Sequence, residues 1–228
     1  MKVCGEFACW TRPEHKVERV SYECMTPSAA RNILDAICWK PQMRWIVDRI
    51  LVLKPIRFMG IRRNELQNKL HPRALAEWLT NPEMYIPQPA GAGTKEATLR
   101  NTAALCNVAY IIEAFPHIYH PMGDDTPLKY IAMFQRRVEK GQCFQRPYLG
   151  CREFAADFMV PGPADMPLPI SLPLGRMLYD LIYDPERSGN RAVFFEASLV
   201  NGVLQTHPDL AIADQQLRRE VVECSYGR

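Results

Sequence analysis

Two stretches of the chain carry the same pattern of polar opening and apolar stripe. Thr26-Pro27 offers a hydroxyl and then a proline, and Ala30, Ile33, Leu34 and Ile37 follow at i, i+3, i+4 and i+7 spacing. Thr126-Pro127 repeats the opening, with Leu128, Ile131, Ala132 and Val138 behind it and Gly141 as a stop. A side-chain oxygen at the cap, proline at the first helical position and a one-sided apolar face together predict two amphipathic helices. Runs rich in branched and aromatic residues predict strands at Val3–Trp10, Arg44–Leu53, Pro55–Ile61, Ala104–Ala114 and Arg152–Val160. The order is β-α-β-β, an irregular insert of about Asn64 to Leu99, then β-α-β.

That order predicts an α+β, ferredoxin-like (RRM-like) domain over residues 1–160, interrupted by the insert at about 64–99. Within the insert, Ala74–Leu79 has the length of a short helix, and so long an excursion in a small domain is usually functional or mobile. A proline-rich connector, Pro161–Pro173, leads into a smaller β-rich region completing residues 161–228. There Arg191–Leu199 and Gly202–Gln205 are spaced as a hairpin.

Composition narrows the class. The 228 residues are 47% hydrophobic and 23% charged, values of an ordinary globular protein. No apolar run reaches the roughly 20 residues of a membrane helix, and the N-terminus lacks a secretory apolar region, so a cytoplasmic location is expected. Eight cysteines without C-x-x-C spacing predict reduced, mostly buried thiols and no metal site. A net charge of +3 settles little, but the cations cluster. Arg12, Lys16 and Arg19 precede the first helix and Lys40 follows it. Arg57, Arg62 and Arg63 end a strand, and Lys129, Arg136, Arg137 and Lys140 line the second helix. They read either as solvated surface balanced by Glu14, Glu18, Glu65 and Glu139, or as a phosphate-gripping surface. On a ferredoxin-like platform the second reading points to single-stranded RNA. Trp39 reads as a packed indole or a base-stacking one, and Gly150 as a turn or a close approach to a ligand. Among the histidines, His117 and His120 flank the entry to the second helix, His15 lies in the first basic loop, and His71 and His207 sit beside prolines.

The segments FACWTRPEHKVERVSYECMTPSAARNIL, ICWKPQMRWIVDRILVLKPI, IRRNE and LKYIAMFQRRVEKGQCFQRPYLGCREF, together spanning most of Phe7 to Phe154, resemble a CRISPR-associated protein of Cas family five, type I-C subtype, in the RAMP superfamily. The resemblance implies a subunit of a type I surveillance complex (Cascade) that binds and caps the 5′ handle of CRISPR RNA in antiviral defence. Its implied neighbours are the backbone and large subunits, with target DNA reached only through the complex. The implied RNA contacts are Lys16, Arg19, Trp39, Lys40, Arg62, Arg63, Lys129 and Arg136. It also implies the alternative of a metal-independent, cofactor-free endoribonuclease acting on precursor RNA. Members of the subtype carry an aromatic or imidazole side chain before Trp-Lys-Pro and a Lys-His pair opening the second helix. Here those catalytic positions hold Cys38, Lys129 and Tyr130, so the implied phosphate-stabilising lysine is present while both proton-transfer positions are changed.

Overall fold

The computed structural model describes the whole chain except residues 16, 69–70, 88–90, 92, 94–96, 184–189 and 224–228. Its elements run β1 (Lys2–Ala8), β2 (Arg19–Val20), α1 (Pro27–Ile37), β3 (Met43–Val52), β4 (Phe58–Leu66), α2 (Pro72–Thr80), β5 (Ala97–Ile118), α3 (Pro127–Glu139), β6 (Asp157–Met159), β7 (Leu172–Ile182), β8 (Arg191–Val200), β9 (Val203–Gln205), α4 (Pro208–Ala211) and α5 (Gln215–Glu223). The sheet order β6-β1-β5-β3, with α1 joining β1 to β3 and α3 joining β5 to β6, is the ferredoxin-like arrangement. Beyond β3 the same sheet continues through β9, β8 and β7, because Arg49–Leu51 pairs with Val203–Gln205.

The two strands expected at Arg44–Leu53 and Pro55–Ile61 are consecutive pieces of one broken run along the 22-residue β5. Val52 pairs with Tyr110 and Phe58 resumes the ladder at Leu105. Pro55 has no amide hydrogen to give a ladder, and opposite the break Asn107 takes a left-handed φ of 52°. The insert is therefore the distal part of a long hairpin, and its ends, Asn64–Leu66 and Ala97–Leu99, are paired strand. The strand expected at Arg152–Val160 is confined to Asp157–Met159, and β7 starts inside the expected connector.

Both helices start where the threonines place them. Thr26 accepts from Ala29 N and Thr126 from Lys129 N, each at 3.3 Å. On α1 the expected stripe of Ala30, Ile33, Leu34 and Ile37 is buried. The second helix is rotated from the expected stripe: Leu128 is 76% exposed, whereas Tyr130 and Val138 are buried. The larger aromatics win the inward face, with Phe134 packed at 4.9 Å against the Trp45 ring.

Gly150 packs closely against the backbone of Cys9. It holds φ 85°, and a Cβ there would collide with the carbonyl of Cys9, whose amide donates to Leu149 O at 3.0 Å. Gly150→Ala is expected to cost about 2–3 kcal/mol in a urea titration, from left-handed strain plus overpacking.

Candidate nucleic-acid interface

The end of α1 meets the start of α3. Cys38 terminates α1 in an extended conformation, its amide donating to Leu34 O and its carbonyl accepting from Trp45 Nε1 at 2.8 Å. Its thiol is fully buried in a small cluster with Ile37 and Val138. Burial pushes that thiol up, against the opposing pull of Arg137, Lys40 and Arg136. Tyr130 lies close enough to feel the same thiol, and only 2% of it is exposed. Its phenol is pushed up to about 12, mostly by burial and next by its hydrogen bond to Asp125. The fold thus brings Cys38 and Tyr130 together but keeps both protonated near neutrality. Neither can relay a proton there as an imidazole would.

Lys129 behaves differently. Its side chain is half-exposed, and its ammonium donates to Asp125 Oδ1 at 2.8 Å. That contact is the leading cause of a lowered Asp125 carboxyl, so one aspartate holds both Lys129 and Tyr130. A half-exposed cation of this kind can trade its carboxylate for a phosphate.

The remaining candidates divide into two groups. Trp39 is 50% exposed, Lys40 is partly buried beside it and Arg136 is exposed on α3. Arg137, one of the α3 cations read as solvated or phosphate-gripping surface, instead donates to Ile37 O at 2.5 Å and ties α3 to the end of α1. Arg19 and Arg63 form another cluster, on β2 and β4. Arg19 pairs with Glu65 and Glu153, each at 3.5 Å, and Arg63 pairs with Glu153 and donates to Thr102 Oγ1. Cys151 accepts from Arg19 Nη1 at 3.5 Å. Its thiol is drawn down, chiefly by a hydrogen bond with Cys9 and then, against burial, by Arg19. Arg62, next along β4, is exposed. Lys16 lies outside the described residues.

His117 and His120 flank Tyr119, whose hydroxyl donates to Met43 O at 3.1 Å. His71 and His207 are helix caps, their Nδ1 atoms accepting from Arg73 N and Asp209 N. That role was signalled in the sequence by the proline following each.

Beside Trp39 opens a cleft of about 530 Å³ between α1 and the 144–150 loop. The amides of Phe144 and Gln145 both donate to Ala36 O, at 2.9 and 3.1 Å, which docks the loop on the last turn of α1. Trp39, Phe144 and Tyr148 line the cleft on the aromatic side, and Asn32 and Asp35 on the polar side.

No helix among the described residues is long and apolar enough to cross a membrane. A family model described as CRISPR-associated protein (Cas_Cas5) matches residues 1–169. The chain is 43% identical over 220 residues to a protein named CRISPR pre-crRNA endoribonuclease Cas5d from Mannheimia succiniciproducens, covering 91% of this chain and 94% of that one. A protein of the same name from Thermus thermophilus is 41% identical over 192 residues, covering 82% and 75%. Among solved structures, one titled as the crystal structure of a CRISPR-associated protein shares the fold at 22% identity with a TM-score of 0.59, covering 90% of this chain and 88% of that one. A functionally uncharacterized protein, SMU1763c from Streptococcus mutans, does so at 19% identity and a TM-score of 0.58, covering 90% and 89%. The ferredoxin-like topology and these matches agree: the chain belongs to the Cas5 family of CRISPR-associated proteins, in its type I-C (Cas5d) branch.

Proposed function

We propose that this protein binds and caps the 5′ handle of CRISPR RNA as a cytoplasmic subunit of a type I surveillance complex, beside its backbone and large subunits. The observation that carries the reading is the α1–α3 junction. There an exposed Trp39, Lys40, Lys129 and Arg136 surround a pair of proton-transfer positions closed inside the protein. Cations and an open indole suit a single-stranded backbone with one splayed base. Residues 1–160 supply this surface, and residues 161–228 brace it.

The test is a salt titration of binding to repeat RNA against a scrambled RNA. Repeat RNA is expected to bind at least about tenfold more tightly at physiological salt, and Lys40→Ala and Lys129→Ala each to lower the salt slope by about 1. Equal affinity for both RNAs would remove the handle-specific reading.

The second reading, a metal-independent endoribonuclease, is favoured by the names of both curated relatives and by the exposed Lys129. Incubating the protein with repeat RNA in EDTA separates the two. Cleavage to a 2′,3′-cyclic phosphate that disappears in Lys129→Ala would establish the enzyme.

A further inference from the structure

We infer that the cleft between α1 and the 144–150 loop is a pocket for one unstacked RNA base, and that it selects guanine. The inference rests on the RNA-binding reading and goes further by naming a subsite and the base it takes. Its volume of about 530 Å³ lies within the range of small-ligand sites and accommodates a nucleoside. The aromatic wall is presented to solvent: Phe144 is 87% exposed, Trp39 50% and Tyr148 37%. Exposed rings around a concave site offer stacking faces to a planar base. The wall is also held in place, since Ala36 O receives two amides of the loop and Tyr148 bridges to Ala155.

The opposite wall supplies discrimination. Asn32 and Asp35 are three residues apart on α1 and so share a helix face, and both line the cleft. The Asp35 side chain keeps 16% exposure, and its Oδ2 stands 3.6 Å from Arg31 Nη1, longer than a hydrogen bond. An ionised carboxylate only accepts. Guanine presents two adjacent donors, N1–H and N2–H₂, which one carboxylate takes together, while its O6 suits the Asn32 amide. Adenine and cytosine each offer a single amino group on that edge, and uracil a lone N3–H between two carbonyl oxygens that a carboxylate repels. Lys40, following Trp39 in the chain, is suited to the phosphate of the bound nucleotide.

The carboxyl's titration supplies a second signature. Burial raises Asp35 to about 6, against the pull of Arg31 on its own helix and Arg44 on β3 and with a push from Asp180 on β7. Below that value one Asp35 oxygen carries a proton and becomes a donor, so the carboxyl no longer takes both guanine donors and the preference for guanine fades as pH falls through about 6.

The experiment measures anisotropy of the full-length protein with short labelled oligouridylates carrying one central guanosine, adenosine, cytidine or uridine, alongside repeat RNA. At neutral pH guanosine is expected to bind about tenfold more tightly than the other three. Asp35→Asn is expected to erase that preference while leaving the common affinity. Phe144→Ala, at a site too exposed to disturb the core, is expected to weaken the guanosine oligomer about tenfold through lost stacking. Equal affinity for all four oligomers, or a preference that survives Asp35→Asn in protein with an unchanged melting curve, overturns the inference. If the oligomers show no preference while repeat RNA still binds specifically, the handle reading stands without the pocket. If repeat RNA does not bind either, both fall.

Discussion

Asp180→Ala is expected to destabilise the protein by about 3–5 kcal/mol, because it removes the carboxylate that two buried guanidinium groups share. Asp180 sits on β7, 4% exposed, with Arg31 of α1 donating at 2.8 Å and Arg44 of β3 at 2.6 Å. Its Oδ1 also accepts from Leu181 N. The gain from burying such a cluster is small when all partners are present, since desolvation offsets most of the attraction. The loss on removing the shared anion is large, because two buried guanidinium groups keep their charge and each loses a direct carboxylate partner. For a chain of this size the loss corresponds to a fall in melting temperature of about 10 °C. A fall worth less than about 1 kcal/mol would mean that the cluster behaves as a screened surface pair and does not lock the fold. The prediction bears on function because Arg31 lies on the helix that ends in Cys38-Trp39-Lys40. The C-terminal strands thereby fix the platform on which the candidate interface stands.

That clamp was not legible in the sequence. Arg31 and Arg44 are 149 and 136 residues from Asp180, and neither spacing nor composition links them. The strand carrying Asp180 was hidden for a local reason. It contains Pro173 and a Gly175 at φ 68°, and its register shifts at Pro173/Gly175 and again at Leu178/Asp180. Bulges of this kind erase the period-two alternation on which strand reading depends. The polar first part of β5 escaped for the complementary reason: Thr98 to Asn101 pairs with β4 on an arm without a core behind it. Helix starts were readable because Thr26 and Thr126 act through neighbours three residues on. Helix rotation was not, since a count of apolar positions on α3 favoured Leu128 over Tyr130.

The site shows the same division. Trp39 and Lys40 stand at a helix exit, where sequence placed them. The grouping of Arg19 and Arg63 with Glu65, Glu153 and Cys151 depends on β2 and β4 both flanking β5, a tertiary fact with no local signal. The inward turn of Tyr130 matters most, because it moves a candidate proton-transfer group from the surface to the interior. The aromatic cleft also went unread, as Phe144 and Tyr148 carry no periodic pattern and meet Trp39 only when the loop docks on Ala36.

Tyr130→His is therefore expected to raise metal-independent cleavage of repeat RNA about 100-fold in single-turnover assays, the range of one positioned acid or base. With its phenol at about 12, Tyr130 is ionised in roughly one molecule in 10⁵ at neutral pH. An imidazole titrates near ~6.5 and is present in both forms there. The Asp125 carboxylate that hydrogen-bonds the phenol would favour the imidazolium and raise that value somewhat. The induced cleavage should then follow a single titration between about pH 6 and 8, which the parent protein lacks. Lys129→Ala in the same background should abolish the gain, because the phosphate charge would lose its cation. Cys38 bounds the size of the effect: its thiol is fully buried and pushed up by burial, so it supplies no second proton-transfer group. A Tyr130→His protein that binds repeat RNA as before, yet cleaves within about twofold of the parent, would show that proton transfer at this position does not limit the reaction. The barrier would then lie in how the RNA is placed over the junction, since the histidine and Lys129 would both be present.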